Sequence, residues 1–412
     1  MHLGSRTPST STVVLAAVLI PVGIAALIGM ILLWPGAPRA AAREVTVVGV
    51  TYPTAEVTST EESSCAGTTE NRLPDGTIPA TVPCLRVHAT VTSGPAAGRP
   101  IAVWATAMLT ARDIPRGTSI VVEHYPASGQ DPEVWAWHDF ARSFPLATLA
   151  LAFAVVTIAV ARMRGLRALV GLGIAFAVVG TFILPGLLAG EDPLLVGLVG
   201  STVIMYVVLY LAHGLSRRTS TALVGTVTGL AVTAGLGVVA ATATHVTGIS
   251  SEDTYRLATM IGADGADQLR GLFLCGVVLA GLGVLNDVTI TQASAVWELR
   301  SSAPDASRRV LFSRAMRIGR DHIASTVYTI AFAYAGAALP VLLLVQVYRL
   351  SLVQTLTSGQ FAEEIVRTLV GSIGLVLAIP LTTAIATLVA TSEPVDRRRR
   401  HRVAEPLSHV HH

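Results

Sequence analysis

The chain has 412 residues, of which 52% are hydrophobic and 13% are charged, and its formal net charge is +3. Soluble globular domains carry about 25% charged residues, so this composition indicates a protein that lies mostly in a lipid bilayer. A net charge this small excludes the strongly basic composition of a nucleic-acid-binding protein, and no nucleic-acid partner is expected.

Eight apolar runs are long enough to cross roughly 30 Å of hydrocarbon as helices. They cover residues 13–34, 144–161, 168–188, 194–213, 221–243, 270–291, 322–345 and 365–390. The first run has two interpretations, an uncleaved anchor or a secretory signal peptide with small residues for cleavage at 40–42. Its apolar stretch is longer than the roughly 7–15 residues of a signal core, which favours the anchor. The predicted fold is a membrane all-α bundle of about eight transmembrane helices.

The distribution of arginine predicts the orientation of these helices. Arginines are concentrated around 162–167, 217–218 and 300–320 and again in the tail, whereas the loops between hold mostly acidic residues. Under the positive-inside rule, both termini are expected in the cytoplasm of a bacterium, with the helices crossing its plasma membrane. The predicted division is a cytoplasmic N-terminus with the first helix, an extracytoplasmic domain, a seven-helix membrane domain and an Arg/His-rich tail, at 1–43, 44–143, 144–391 and 392–412.

The extracytoplasmic segment, between the first and second helices, is predicted to be a small β-rich domain. Period-two patterns predict strands at 44–50, 84–91, 101–108 and 119–124, separated by Gly- and Pro-containing turns. Several short strands in so short a segment are typical of a small barrel, of which an OB-like barrel is one form.

Two of the three cysteines, Cys65 and Cys84, fall in this domain on the expected oxidising side of the membrane. A disulfide between them is the favoured interpretation. A two-cysteine metal site is the weaker alternative, because no histidine stands at ligand spacing. Cys275 lies in a predicted helix and is expected to be a small packing residue.

Asp287 interrupts the sixth apolar run and raises the question of a site inside the membrane. Helical positions spaced by three and four residues share a face, and the face of Asp287 is small in its first half and polar in its second. It comprises Gly276, Ala280, Gly283, Asp287, Thr291, Ser294 and Glu298. Small residues allow another helix to approach closely, and polar residues need protein or water beside them.

The next helix is predicted to supply that neighbour, with Arg320, Asp321 and His322 at the depth of Asp287. Two hypotheses remain open: a structural ion pair between Asp287 and Arg320, or a site for an ion, a proton or a substrate. The candidate intramembrane site comprises Asp287, Thr291, Ser294, Arg320, Asp321, His322, Ser325 and Thr326.

The same two helices carry two longer motifs, G-x-L-x-D-V and M-x-I-G-R-D, the second running on into A-Y-x-G-x-x-L-P. The residues concerned are Asp287, Val288, Ser294, Met316, Ile318, Gly319, Arg320, Asp321, Thr326, Tyr334, Gly336 and Pro340. From about 140 to 390 the chain resembles the YibE/F family of bacterial multipass membrane proteins. The resemblance implies a β-rich extracytoplasmic segment after a first helix, and it implies no activity. Asn286 and His322 depart from the family pattern, so a role for either would be specific to this branch.

An enzyme is not expected, because the chain contains no motif of a zinc protease, a serine hydrolase or a nucleotide-binding enzyme. An intramembrane aspartyl protease needs two carboxylates that share a proton, and Arg320 would hold both Asp287 and Asp321 ionised. No cofactor and no metal ion is expected.

The expected function is transport or export of a small solute or ion through a pathway lined by the sixth and seventh predicted helices. The alternative is a scaffold or interaction protein whose outer domain binds an envelope protein, or which forms a homo-oligomer in the lipid bilayer. The polar face of Asp287 favours the first hypothesis, and the disulfide-linked outer domain favours the second.

Overall fold

The computed structural model describes residues 10–36, 49–73, 75–129, 131–261, 265–347, 349 and 351–392. The chain divides into two units, one of residues Glu44–Thr157 and one that combines Met1–Arg43 with Ile158–His412. Most of the predicted strand at 44–50 and the Arg/His-rich tail beyond Ser392 lie outside the described residues.

The smaller unit is built on one antiparallel sheet of five strands in the order β3-β2-β1-β4-β5. The strands are β1 (Thr54–Ala66), β2 (Thr81–Val91), β3 (Pro100–Trp104), β4 (Ser119–Tyr125) and β5 (Val134–Phe140). Alternate residues such as Leu85, Val87 and Ala89 are buried in its core, because successive side chains of a strand point to opposite faces.

Three of the predicted strands are confirmed as β2, β3 and β4, although β3 ends at Trp104 rather than at residue 108. The strand β1 was not predicted, because its second half is polar on both faces and most of it is exposed. A run of Thr, Ser and Glu carries no alternation of apolar and polar residues. Its pairing with β2 throughout its length supplies the order that the sequence pattern lacks.

The predicted disulfide is confirmed, and it joins β1 to β2. Cys65 and Cys84 are bonded with their Cα atoms 5.8 Å apart, and Cys275 is free and buried. The bridge holds the far ends of the two longest strands together, where their side chains are mostly exposed and little apolar core supports them.

Eleven helices are present in the described parts of the chain. They are α1 (Thr10–Leu32), α2 (Ser143–Val178), α3 (Leu184–Ala189), α4 (Pro193–His213), α5 (Arg217–Ala243), α6 (Glu252–Ile261), α7 (Gly265–Ser302), α8 (Arg308–Ala337), α9 (Leu339–Val347), α10 (Leu352–Leu356) and α11 (Gly359–Thr391). A π-helical turn at Val179–Ile183 joins α2 to α3.

Six helical stretches are long and apolar enough to cross a membrane, counted over the described residues, and not the eight that were expected. The runs at 144–161 and 168–188 fall in one 47-residue stretch, Ser143–Ala189, which is interrupted at Arg162 by a positive φ of 53°. The run at 322–345 is divided between α8 and α9 at Ala338, and the charged residues of α8 reduce its hydropathy.

The centre of the larger unit is a close antiparallel contact between α5 and α11. Gly225 lies against Thr382, Gly229 against Ala378, and Thr233 against Gly374, so both helices meet at every fourth residue. Small residues allow such an approach, and close van der Waals contact is what holds helices together in lipid. The helix α7 packs on both partners, and Thr289 on α7 shares a hydrogen bond of 2.6 Å with Thr226 on α5.

The first helix, α1, packs on α4 and does not stand apart from the bundle. The Tyr206 hydroxyl on α4 donates a hydrogen bond of 2.6 Å to the backbone carbonyl of Leu19, and the side chains of Leu15 and Leu19 are buried. A Cβ added at Gly23 would touch the Tyr206 ring, so glycine there allows the two helices to approach.

The disulfide predicts a defined pattern of thiol reactivity in the full chain. After denaturation without reductant, Cys275 alone should react with a thiol reagent, and a Cys275→Ala control should show no reactive thiol. Replacing Cys65 and Cys84 with Ser should lower the free energy of unfolding of the sheet unit by about 3 kcal/mol, because the bridge constrains the unfolded chain. Reaction of Cys65 or Cys84 before reduction would contradict the bridge.

Candidate functional site

The helix α7 presents its ionisable face away from the bundle. Val288, Thr289 and Gln292 are buried, whereas Asp287 and Thr291, on the predicted polar face, are exposed. A Cβ at Gly276 or Gly283 would meet no atom within 4 Å, so within the described residues no helix is in close contact at these two glycines.

Asp287 has His322 as its neighbour, and not Arg320. The Asp287 Oδ2 and His322 Nε2 atoms are 3.6 Å apart, and the two side chains are 68% and 28% exposed. This distance is too long for a hydrogen bond, but the two side chains form an ion pair when the imidazole is protonated. Among the described residues, the buried His322 Nε2 and Asn286 Oδ1 atoms have no hydrogen-bond partner. Asn286 precedes Asp287 on the chain, and His322 lies beside it in space.

The remaining members of the predicted site are not brought to Asp287. Arg320, Asp321 and Ser325 lie on the exposed side of α8, and among the described residues Arg320 forms no ion pair. Two hydroxyls are used within their own helices: Ser294 donates to the Ile290 carbonyl at 2.7 Å and Thr326 to the His322 carbonyl at 2.9 Å. The structure thus groups Asp287 with His322, and Thr326 follows one turn along α8.

Sequence reasoning missed a cavity of about 280 Å³ between α7, α8 and α11. Its polar lining residues are Thr329, Tyr334, Arg367, Thr368 and Ser372. Arg367 lies inside the candidate membrane span Phe361–Thr391. A lone arginine close to the start of the last apolar run was the signal available in the sequence, since ionisable residues within membrane helices mark functional sites by default.

Arg367 is held in place from two sides. Its Nη1 atom is 3.3 Å from Glu364 Oε2, and its guanidinium lies 5.4 Å from the centroid of the Phe273 ring on α7, at cation–π distance. Its Nε atom is buried and has no hydrogen-bond partner in the described structure. These two contacts orient the guanidinium and leave its buried Nε donor unused.

The cavity and the Asp287–His322 pair lie on one line of residues. On α8, His322, Thr326, Thr329 and Ala333 are spaced by four, three and four residues, and Thr329 and Ala333 line the cavity. On α7, Ala280 and Val284 line the cavity and Asp287 follows on the same face. At 1.5 Å per residue, Thr329 and His322 are separated by about 10 Å along the helix axis.

The start of α8 is positioned by a buried amide that the sequence did not single out. Gln292 on α7 is 2% exposed, and its Nε2 atom donates a hydrogen bond of 2.8 Å to the Ala315 carbonyl on α8. One turn later, Gly319 lies against both Gln292 and Ile379 of α11. These contacts fix α8 immediately before His322, and so they fix the distance between His322 and Asp287.

Long apolar helices with ionisable side chains between them, joined to a separate antiparallel sheet, define a multi-pass membrane protein. The family model described as YibE/F-like protein matches residues 149–392, more than half of the chain, and the chain belongs to this family. The resemblance seen in the motifs around Asp287 and Arg320 is thereby confirmed. No curated protein matches the chain, and no solved structure matches it.

Gly319 provides a test of how α8 is positioned. A Cβ at this residue would lie 2.6 Å from the Ile379 Cγ2 atom, so Gly319→Ala should lower the free energy of unfolding by about 1–3 kcal/mol through overpacking. The double variant with Ile379→Ala should be less destabilised than the sum of the two single variants, by about 1 kcal/mol.

The matched control for this prediction is Gly336→Ala on the same helix, where a Cβ would meet no atom within 4 Å. It should leave stability unchanged or slightly raised, because alanine favours helix by about 1 kcal/mol over glycine. Thermal unfolding of the purified variants in detergent gives the comparison. Equal stability of the two alanine variants would show that α8 does not pack as described.

Proposed function

We propose that this protein transports or exports a small solute or ion across the bacterial plasma membrane, along a pathway between α7, α8 and α11. The observation that carries the proposal is the Asp287–His322 pair at one end of a polar line whose other end is the Arg367 cavity. A purely structural ion pair would need neither a cavity beside it nor a partly exposed carboxylate.

The chemistry of the pair suits a group that gains and loses charge. An imidazole can gain and lose a proton, and a carboxylate nearby can accept the same proton or bind a cation. Because Asp287 is 68% exposed and 3.6 Å from His322, its carboxylate is not held in a close, hydrogen-bonded ion pair. Such a pair can bind and release a charge without breaking the packing of α7.

The orientation is part of the same proposal. The arginine-rich loops support an orientation with both termini in the cytoplasm and the sheet unit outside. In that orientation the Asp287–His322 pair lies toward the cytoplasm and Arg367 toward the exterior. We also propose that the sheet unit is an OB-like barrel: the strand order β3-β2-β1-β4-β5 places β3 and β5 at its two ends, and these strands contact each other.

A second candidate function, binding of an envelope protein by the sheet unit, is favoured by a polar and aromatic cluster on β4 and β5. The His124 Nε2 atom lies 2.7 Å from Glu133 Oε1. The imidazole ring stacks on the Trp135 ring, with the two ring centroids 4.2 Å apart. A hydrogen bond from Arg99 lowers the pKa of Glu133. Aromatic and arginine side chains of this kind are enriched in protein interfaces. The transport hypothesis is preferred because the interaction hypothesis leaves the cavity unexplained.

The proposal predicts that neutralising the pair silences the protein without unfolding it. Asp287→Asn and His322→Gln should each reduce transport at least tenfold, because neither replacement can exchange a charge. The free energy of unfolding should change by no more than about 1 kcal/mol, as for other exposed ion pairs. The control is Arg320→Gln, an exposed charge two residues before His322 that should leave transport unchanged.

Each variant is expressed in a deletion strain, and ion and metabolite accumulation, protein abundance and thermal stability in detergent are compared with those of the wild type. A stable, abundant Asp287→Asn protein with normal accumulation would refute the role of the pair in transport. Equal loss in all three variants would show a general effect of charge on the membrane unit.

A further inference from the structure

The polar groups of the cavity between α7, α8 and α11 are all able to donate hydrogen bonds. They are the guanidinium of Arg367 and the hydroxyls of Thr329, Tyr334, Thr368 and Ser372. Among the described residues that line the cavity, none carries a carboxylate. The nearest acidic partner, Glu364, contacts Arg367 Nη1 without lining the cavity.

Three of these hydroxyls are unused and available to a ligand. Elsewhere, helical Thr and Ser hydroxyls commonly donate to the backbone carbonyl four residues earlier, as in Thr326 and Thr383. In the part of the chain that the structure describes, the hydroxyls of Tyr334, Thr368 and Ser372 have no hydrogen-bond partner. The Thr329 hydroxyl is already used within its own helix, because it donates to the Ser325 carbonyl at 3.1 Å.

The guanidinium of Arg367 adds a positive charge with a free, buried donor. Nη1 faces Glu364 and the Phe273 ring covers the guanidinium, whereas the buried Nε atom has no partner. Leaving such a donor unpaired carries a desolvation penalty, which is larger for a charged group. An acceptor that enters the cavity would remove that cost, and a carboxylate or phosphate matches the planar fork of arginine best.

The volume limits the size of such a ligand. A cavity of about 280 Å³ lies near the lower end of the roughly 300–1,000 Å³ typical of ligand pockets, which suits a small anion with few carbon atoms. One guanidinium, partly offset by Glu364, matches a single negative charge. A cation would meet the Arg367 charge with no carboxylate in the lining, and a neutral solute would gain less from that charge than an anion would.

We propose that this cavity binds a small oxyanion of single negative charge, a carboxylate or a phosphate, through Arg367, Tyr334, Thr368 and Ser372. The inference deepens the proposed transport function, on which it rests for the statement that the bound anion is also the solute moved. The binding itself follows from the donors that line the cavity.

The test measures the thermal unfolding midpoint of the full chain in detergent against increasing acetate, dihydrogen phosphate and chloride, with tetramethylammonium as the cationic probe. Acetate or phosphate should raise the midpoint in a saturable way, since a ligand that binds only the native state stabilises it. Chloride and tetramethylammonium should not. Arg367→Gln should weaken the oxyanion affinity at least tenfold, and Arg320→Gln, an exposed arginine of α8, should leave it unchanged.

Variants that keep the buried charge cover the case in which Arg367→Gln does not fold. Tyr334→Phe and Ser372→Ala each remove one donor and should weaken the affinity about fivefold to tenfold, as expected for a hydrogen bond to a charged acceptor. The control is Thr242→Ala on α5, whose hydroxyl donates to the Val238 carbonyl away from the cavity. Its affinity should equal that of the wild type.

Loss of affinity in the cavity variants alone supports the inference. Equal stabilisation of all variants, or stabilisation by chloride as strong as by acetate, overturns it. Water-soluble short-chain phosphatidylglycerol is the probe for a lipid headgroup. If it raises the unfolding midpoint in a saturable way and free anions do not, the cavity binds a lipid headgroup, and the proposal of a small free oxyanion is overturned. Oxyanion binding without transport in proteoliposomes would refute the transport function alone. Transport of a cation that Arg367→Gln leaves unaffected would refute only the claim that the transported solute is an anion.

Discussion

The arrangement of the membrane unit depends on the close contact between α5 and α11. Lipid chains offer no hydrophobic driving force for one helix to meet another, so tight van der Waals packing must supply the attraction. Gly225, Gly229 and Gly374 provide it by letting a Thr or Ala side chain approach the opposite backbone. The helix α7 then lies against both partners, and the bond between Thr226 and Thr289 fixes its rotation. Once that rotation is set, Asp287 faces outward.

The cavity follows from the way in which α8 is attached. Leu311, Ala315 and Gly319 are the buried residues of α8, all in its first half. Beyond Gly319 the helix is at most partly buried, and the space left between it, α7 and α11 is the cavity lined by Thr329 and Tyr334. Tight packing at one end of α8 and loose packing at the other therefore place His322 near Asp287 and leave room for a ligand beyond it.

The sequence predicted which residues share a helix face better than it predicted where that face points. Asp287 and Thr291 do lie together, but outward, because periodicity contains no information about the partner of a face. The disulfide and the family were predictable, since Cys65 and Cys84 and the motifs near Asp287 and Arg320 are local signals. Arg367 was overlooked because arginines were counted in loops, whereas its contact with the ring of Phe273 joins two residues that are distant in sequence.

Buried polar groups without a hydrogen-bond partner differ in their free-energy cost. This difference helps to distinguish groups kept for packing from groups kept for function. A buried hydroxyl such as that of Thr382, without a hydrogen-bond partner in the described structure, is tolerated where close contact with Gly225 is needed. A buried donor on a charged guanidinium, or an imidazole nitrogen, costs more when it is unpaired. Such atoms occur on His322 and Arg367, at the two ends of the line that runs through Thr326 and Thr329. Packing alone gives no reason to keep both, whereas a pathway that binds a charged solute at one end and exchanges a charge at the other does.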